Sequence, residues 1–285
     1  MENFDRIEFE KERDFSSLLN ATFEFLKQEF KPLMKILLVR IAPFLVLIGI
    51  FSALSLDNLN NNLSSNPFAI FSIYYIAQMI LTLFTVIYLQ SLTLHYIKHY
   101  NSNSTEPVEE YLKKNAFSKI FNLLGVNIGF YFLVVVGIIF FVIPGIYLFV
   151  IYSLSIIITV LGNGNEGVFN KSSDLIKNHW WETFGGLIVI FIIYYILSLI
   201  LSLPSSIFYF FNAFSGIESG VAFQSSNNLI LDIILNIITS FSLISAIIMY
   251  IYLSFNYYSL KEQKEATGLL EKIDQMGQDL PEGNA

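Results

Sequence analysis

The chain has 285 residues, of which 54% are hydrophobic, 16% aromatic and only 14% charged, and it contains no cysteine. A water-soluble domain carries about a quarter charged residues, so the composition points to a bilayer as solvent, and the lack of cysteine excludes disulfides and thiolate metal sites. A net charge of −7 with no basic block argues against a nucleic-acid partner.

Residues 1–13 read as a charged cytoplasmic N-terminal segment, without the apolar core and cleavage site of a secretory signal. Asp14 is placed to cap a helix. After it, Phe15, Leu18, Leu19, Phe23, Leu26 and Phe30 follow helical spacing with charges between them, which predicts an amphipathic helix. A membrane crossing needs about 20 mostly apolar residues. Six segments meet or approach that length: 34–56, 68–94, 120–143, 146–161, 184–203 and 229–255. They form a membrane domain over 14–260, and the fourth is the shortest. Between them, 57–67 (DNLNNNLSSNP) belongs in water, and Pro144-Gly145 predicts a tight turn between the third and fourth spans. The stretch 204–228 includes IFYFFNAF, is too apolar for a free loop, and predicts an interfacial or re-entrant helix. Residues 261–285 read as a cytoplasmic tail.

The basic residues alternate along this layout. Arg6, Lys11, Arg13, Lys27, Lys31 and Lys35 precede the first span, and Lys98, Lys113, Lys114 and Lys119 lie between the second and third. Lys171 and Lys177 lie between the fourth and fifth, and Lys261, Lys264 and Lys272 follow the sixth. The opposite connections hold none, and only Arg40 falls inside a span. The positive-inside rule then places both termini in the cytoplasm.

The fold expected is all-α and integral to the membrane: six transmembrane helices as three hairpins, each preceded by a cytoplasmic-side amphipathic helix. Glu24-Phe25-Leu26-Lys27 recurs as Glu110-Tyr111-Leu112-Lys113 and as Asp174-Leu175-Ile176-Lys177, each shortly before an odd-numbered span. This suggests a threefold internal repeat whose short helices rest their apolar faces in the acyl boundary.

Candidate chemistry is sparse. His95 and His99 are spaced to share a helix face and a metal, with Glu106 and Glu109 nearby, but HYIKH is not the zinc-protease HExxH; aromatic neighbours place them at an interfacial helix end. No metal, cofactor or catalytic residue is expected, since no paired acids or nucleophile–base set is present. Arg40 would cost about 2.5–3.5 kcal/mol at the bilayer centre, but it can snorkel to the cytoplasmic face; the alternative is a site for an anionic headgroup or substrate. Asp232 and Asn236 share a helix face, either solvated at the outer interface or buried with Gln78, Gln90 or Asn127 as a polar pathway.

The segment 143–181 reads IPGIYLFVIYSLSIIITVLGNGNEGVFNKSSDLIKNHWW. It resembles a motif of a broad group of prokaryotic membrane proteins related to the membrane region attached to some glycerophosphodiester phosphodiesterases. The matching positions are Pro144, Gly145, Ile146, Tyr147 and Leu148, then Ser172, Leu175, Lys177 and Trp180. Where that family often carries an Arg after the turn, this chain has Val150 and Ile151. The resemblance implies a membrane domain of the prokaryotic cell (inner) membrane, without the phosphodiesterase. The expected function is that of a non-catalytic accessory or lipid-associated scaffold, with membrane lipids and a membrane-protein partner as its contacts. The alternative is a small permease for a lipid or metabolite.

Overall fold

The computed structural model describes residues 6–62, 65–102, 104–162, 167–218 and 228–265, and every regular element among them is helical. The helices are α1 (Phe15–Asn62), α2 (Ile73–Asn101), α3 (Val108–Asn115), α4 (Ile120–Phe140) and α5 (Val142–Ile151). They continue with α6 (Ser155–Leu161), α7 (Val168–Ile176), α8 (Trp180–Glu218), α9 (Leu229–Ser240) and α10 (Ile247–Glu265). Six stretches are long and apolar enough to cross a membrane: Phe15–Asn62, Ile73–Asn101, Ile120–Phe140, Val142–Leu161, Trp180–Phe214 and Leu229–Glu265.

Local chemistry explains the boundaries. Asp14 caps α1 by accepting the Ser17 N–H at 2.9 Å, and α1 then runs unbroken through the amphipathic stretch and the first span, past Pro32 and Pro43. Pro144-Gly145 is not the turn. The chain reverses three residues earlier, at Phe141, whose extended backbone (φ −164°, ψ 149°) ends α4 and starts α5. Proline is tolerated in the first helical turn because its missing N–H has no intrahelical acceptor there, so Pro144 sits inside the start of α5. This shift lengthens the fourth span to 20 residues, which at 1.5 Å per residue is about 30 Å, the thickness of a hydrocarbon core. A single turn at 152–154 breaks it into α5 and α6. The helix expected after Pro204 is present, but as a continuation of α8 to Glu218; residues 219–227 lie outside the described residues, as do 266–285 of the C-terminal segment.

The chain packs as two units, one drawn from 1–31, 93–190 and 248–285, the other from 32–92 and 191–247. In the first, Phe9 is fully buried. Its ring stacks on Phe255 at 4.2 Å and meets Phe25, Tyr100 and Tyr258 edge-on; such pairs contribute about 0.5–1.5 kcal/mol each beyond the area they bury. Backbone and side chain fasten the same segment: the Ile7 N–H donates to Tyr100 Oη at 3.0 Å, the Arg13 N–H to Ser259 Oγ at 2.9 Å, and Asn101 Nδ2 to Glu10 Oε1 at 3.1 Å. Also in this unit, α4 and α5 meet through glycines, a Cβ on Gly137 falling 2.9 Å from the Gly145 Cα.

In the second unit, α1 and α9 approach so closely that a Cβ on Gly49 would lie 2.5 Å from the Ile237 backbone. With little hydrophobic drive between helices in lipid, small residues and hydrogen bonds hold such contacts. Ser240 Oγ donates to the Leu45 carbonyl at 2.9 Å, and Ser205 Oγ, on α8, donates to the Leu235 carbonyl at 2.8 Å. Phe44, Phe84 and Tyr88 pack together between α1 and α2.

Candidate functional site

A polar cluster of the second unit lies near the start of α9. Asn228 caps this helix, its Oδ1 accepting the N–H groups of Ile230 and Leu231 at 3.1 and 3.3 Å. Asp232 follows one turn in and Asn236 one turn further, so helical spacing puts both on one face. That face is turned inward: Asp232 is only 2% exposed. Tyr209 reaches it from the part of α8 beyond Pro204, and Ser52 from α1. Ser52 Oγ donates to Asn236 Oδ1 at 2.9 Å, Asn236 Nδ2 donates to Tyr209 Oη at 2.9 Å, and Tyr209 Oη donates to Asp232 Oδ1 at 3.4 Å. Asn236 Nδ2 also donates to the Asp232 carbonyl at 2.8 Å. Four side chains from three helices thus form one directed chain of hydrogen bonds ending on a buried carboxyl.

The pairing of Asp232 with Asn236 was legible in the sequence, but Tyr209 and Ser52 were not singled out. Their one signal is a hydroxyl within an otherwise apolar run, a feature many structural residues share. Among the described residues, the hydrogen bond to the Asp232 carboxyl comes from Tyr209 rather than from Gln78, Gln90 or Asn127. Asn127, for instance, belongs to the first unit and donates its Nδ2 to the Leu123 carbonyl at 2.8 Å. Arg40 is half-buried on α1.

In the first unit a cavity of about 370 Å³ is lined by Arg6, Gln28, Glu29, Tyr96, His99 and Tyr100, among others. The Arg6 guanidinium lies 4.3 Å from the Tyr100 ring centre, and the Tyr96 hydroxyl donates to Glu29. His99 Nε2 lies 2.7 Å from the Glu106 carbonyl oxygen, while the Glu106 carboxylate pairs with Lys114 at 2.7 Å. These carboxylates, through hydrogen bonds from Lys114 to Glu106 and Glu110, push the Lys114 ammonium above its ordinary range. Burial, reinforced by Glu106, does the same to the Tyr111 phenol. Among the described residues no group of three His, Cys, Asp or Glu could hold a metal ion.

The residues of the 143–181 motif have packing roles. Gly145 lies against α4, where an added Cβ would fall 2.3 Å from Ile138 Cγ1 and 2.8 Å from the Ile138 backbone nitrogen. Tyr147 and Trp180 stack at 5.9 Å. Ser172, fully buried, donates from Oγ to the Ile151 carbonyl at 2.7 Å, satisfying an acceptor left open where α5 ends. Lys177 pairs with Asp174 at 3.1 Å on the exposed side of α7; that hydrogen bond and charge hold the Asp174 carboxyl below the usual carboxylate range.

No family model, curated protein or solved structure matches the chain. The likeness to the phosphodiesterase-associated membrane region therefore rests on the motif residues alone.

Proposed function

We propose that this is a non-catalytic, multi-pass protein of the prokaryotic inner membrane, with both termini cytoplasmic, that works by holding anionic lipid at its cytoplasmic face as an accessory or scaffold for a membrane-protein partner. The observation that carries this reading is a pattern that recurs three times. In each copy of the repeat the acid and the lysine are exposed (Glu24 and Lys27, Glu110 and Lys113, Asp174 and Lys177), while an apolar residue between them is buried: Phe25, Leu112, and Leu175 with Ile176. Each copy is then followed by an exposed aromatic close to lysine: Phe30 beside Lys31, Phe117 and Phe121 around Lys119, and Trp181 after Lys177. Aromatic rings at headgroup level and lysines near the surface are the chemistry that retains anionic lipid. A buried apolar residue in each copy keys the helix into the protein, while Phe15, Phe23 and Phe30 of the first copy stay exposed, available to acyl chains beside the aromatic–lysine pairs. The likeness of 143–181 to the phosphodiesterase-associated membrane region agrees with a membrane domain lacking its own chemistry.

The test is native mass spectrometry of protein extracted in mild detergent. Wild type is expected to retain anionic phospholipid. A variant with Lys31, Lys113, Lys119 and Lys177 changed to Gln is expected to lose it while keeping its unfolding profile. Equal retention by the variant would reject the reading.

A small permease is the second reading, favoured by the hydrogen-bonded chain ending on Asp232, since an ionisable residue inside a bundle commonly marks a substrate or ion path.

A further inference from the structure

We propose that Asp232 is the centre of a sodium site, a place where one sodium ion from solution neutralises a buried carboxyl that is given no counter-charge by the described residues of the second unit. This goes beyond the lipid-binding reading and does not depend on it.

The carboxyl is 2% exposed and, among the described residues, accepts one hydrogen bond, a long one of 3.4 Å from Tyr209. Burial of a carboxylate is costly unless it is paired, and the composition of the second unit offers no cationic side chain to pair it. Its lysines and arginines are Lys35 and Arg40 alone, both early in α1. Arg40 precedes Ser52, the α1 residue of the cluster, by twelve positions, or about 18 Å of helix rise. The 219–227 segment joining α8 to α9 contains no Lys or Arg.

The charged and titratable groups of the helices meeting here, within this unit, are these. On α1 they are Lys35, Arg40 and Asp57; on α8, Tyr194, Tyr195, Tyr209 and Glu218; and on α9, Asp232 itself. Tyr209 is the one hydrogen-bonded to the carboxyl, and Asp57, held by Asn61 Nδ2 at 3.2 Å, adds negative charge to the same end of α1. The remaining ligands are of the right kind. Asp232 supplies the charge, and the Tyr209, Ser52 and Asn236 oxygens supply neutral donors suited to a hard ion. Serine and amide hydrogen bonds from three helices hold these atoms in place, so a bound charge would tie α1, α8 and α9 together.

The experiment is equilibrium unfolding of the detergent-solubilised full chain, with sodium chloride exchanged for choline chloride at constant ionic strength and fixed pH. Wild type is expected to be stabilised by sodium. Asp232→Asn is expected to abolish that response. Tyr209→Phe, which keeps the carboxyl and removes one partner, is expected to shift the midpoint concentration by about two- to tenfold, the loss of one hydrogen bond. Should Asp232→Asn fail to fold, Tyr209→Phe decides. A wild type indifferent to the exchange of sodium for choline, an Asp232→Asn protein with the wild-type response, or an unshifted Tyr209→Phe midpoint would each overturn the assignment.

Discussion

Replacing Gly145 by alanine probes the α4–α5 hairpin at its tightest point. The new methyl would lie 2.3 Å from Ile138 Cγ1, 2.8 Å from the Ile138 nitrogen and 3.1 Å from its Cα. Ordinary contact begins near 3.4 Å, so the side chain can turn aside but the backbone of α4 must retreat by about half an ångström. A gap of that order along the rest of the interface forfeits about a quarter of each facing contact's attraction. Overpacking of this kind costs about 1–3 kcal/mol, against a gain of about 0.5–1 kcal/mol from removing a helical glycine. Taking the middle of each range, the expected net destabilisation is about 1 kcal/mol. Gly125, on α4, supplies the control, because a Cβ there meets nothing within 4 Å, and Gly125→Ala should gain the propensity without the clash. Reversible unfolding by SDS titration in mixed micelles, followed by tryptophan fluorescence, measures both. A Gly145→Ala protein as stable as wild type, or a Gly125→Ala protein destabilised as much, would refute the close-packed hairpin.

Phe9→Ala should remove the centre of the ring cluster, at a cost of about 3–5 kcal/mol as for other buried Phe-to-Ala changes, and speed tryptic cleavage at Lys11 and Arg13; unchanged cleavage would count against a docked segment. Ser172→Ala leaves the Ile151 carbonyl buried without its donor and should cost about 1–3 kcal/mol, read from the same SDS titration; a shift near zero would mean the bond contributes little. Asp14→Ala should raise hydrogen exchange at the Ser17 amide, with a pH signature. The side-chain and backbone hydrogen bonds from Ser17 hold the folded Asp14 carboxyl below the usual range. The cap is therefore complete above about pH 3.9, where an unfolded Asp ionises, and is lost as pH falls through the lower folded value. Protection at Ser17 that stayed constant through that window would contradict the cap.

The number of spans was legible because hydrophobicity accumulates along a window and needs no knowledge of neighbours: each of the six apolar runs became a helix long enough to cross a membrane. The cap at Asp14 was legible for the same reason, its donor, the Ser17 N–H, lying three residues away. The hairpin turn was misplaced because Pro-Gly carries two meanings. It can make a turn, or it can open a helix with proline in the first turn and glycine against a neighbour, and only the packing of Gly145 on Ile138 separates them. The docking of Phe9 was not legible in the charged segment that carries it, because its partners lie at 25, 100, 255 and 258. The cluster at Asp232 divides in the same way. Its i, i+4 pairing with Asn236 follows from helical pitch, whereas Ser52 and Tyr209 come from two other helices. What the amino-acid order determined by itself was therefore what a helix does with its own next few residues and with lipid. Which buried polar group meets which, and which helix a glycine admits, was decided only when distant helices packed, because those free energies belong to pairs that no local window contains.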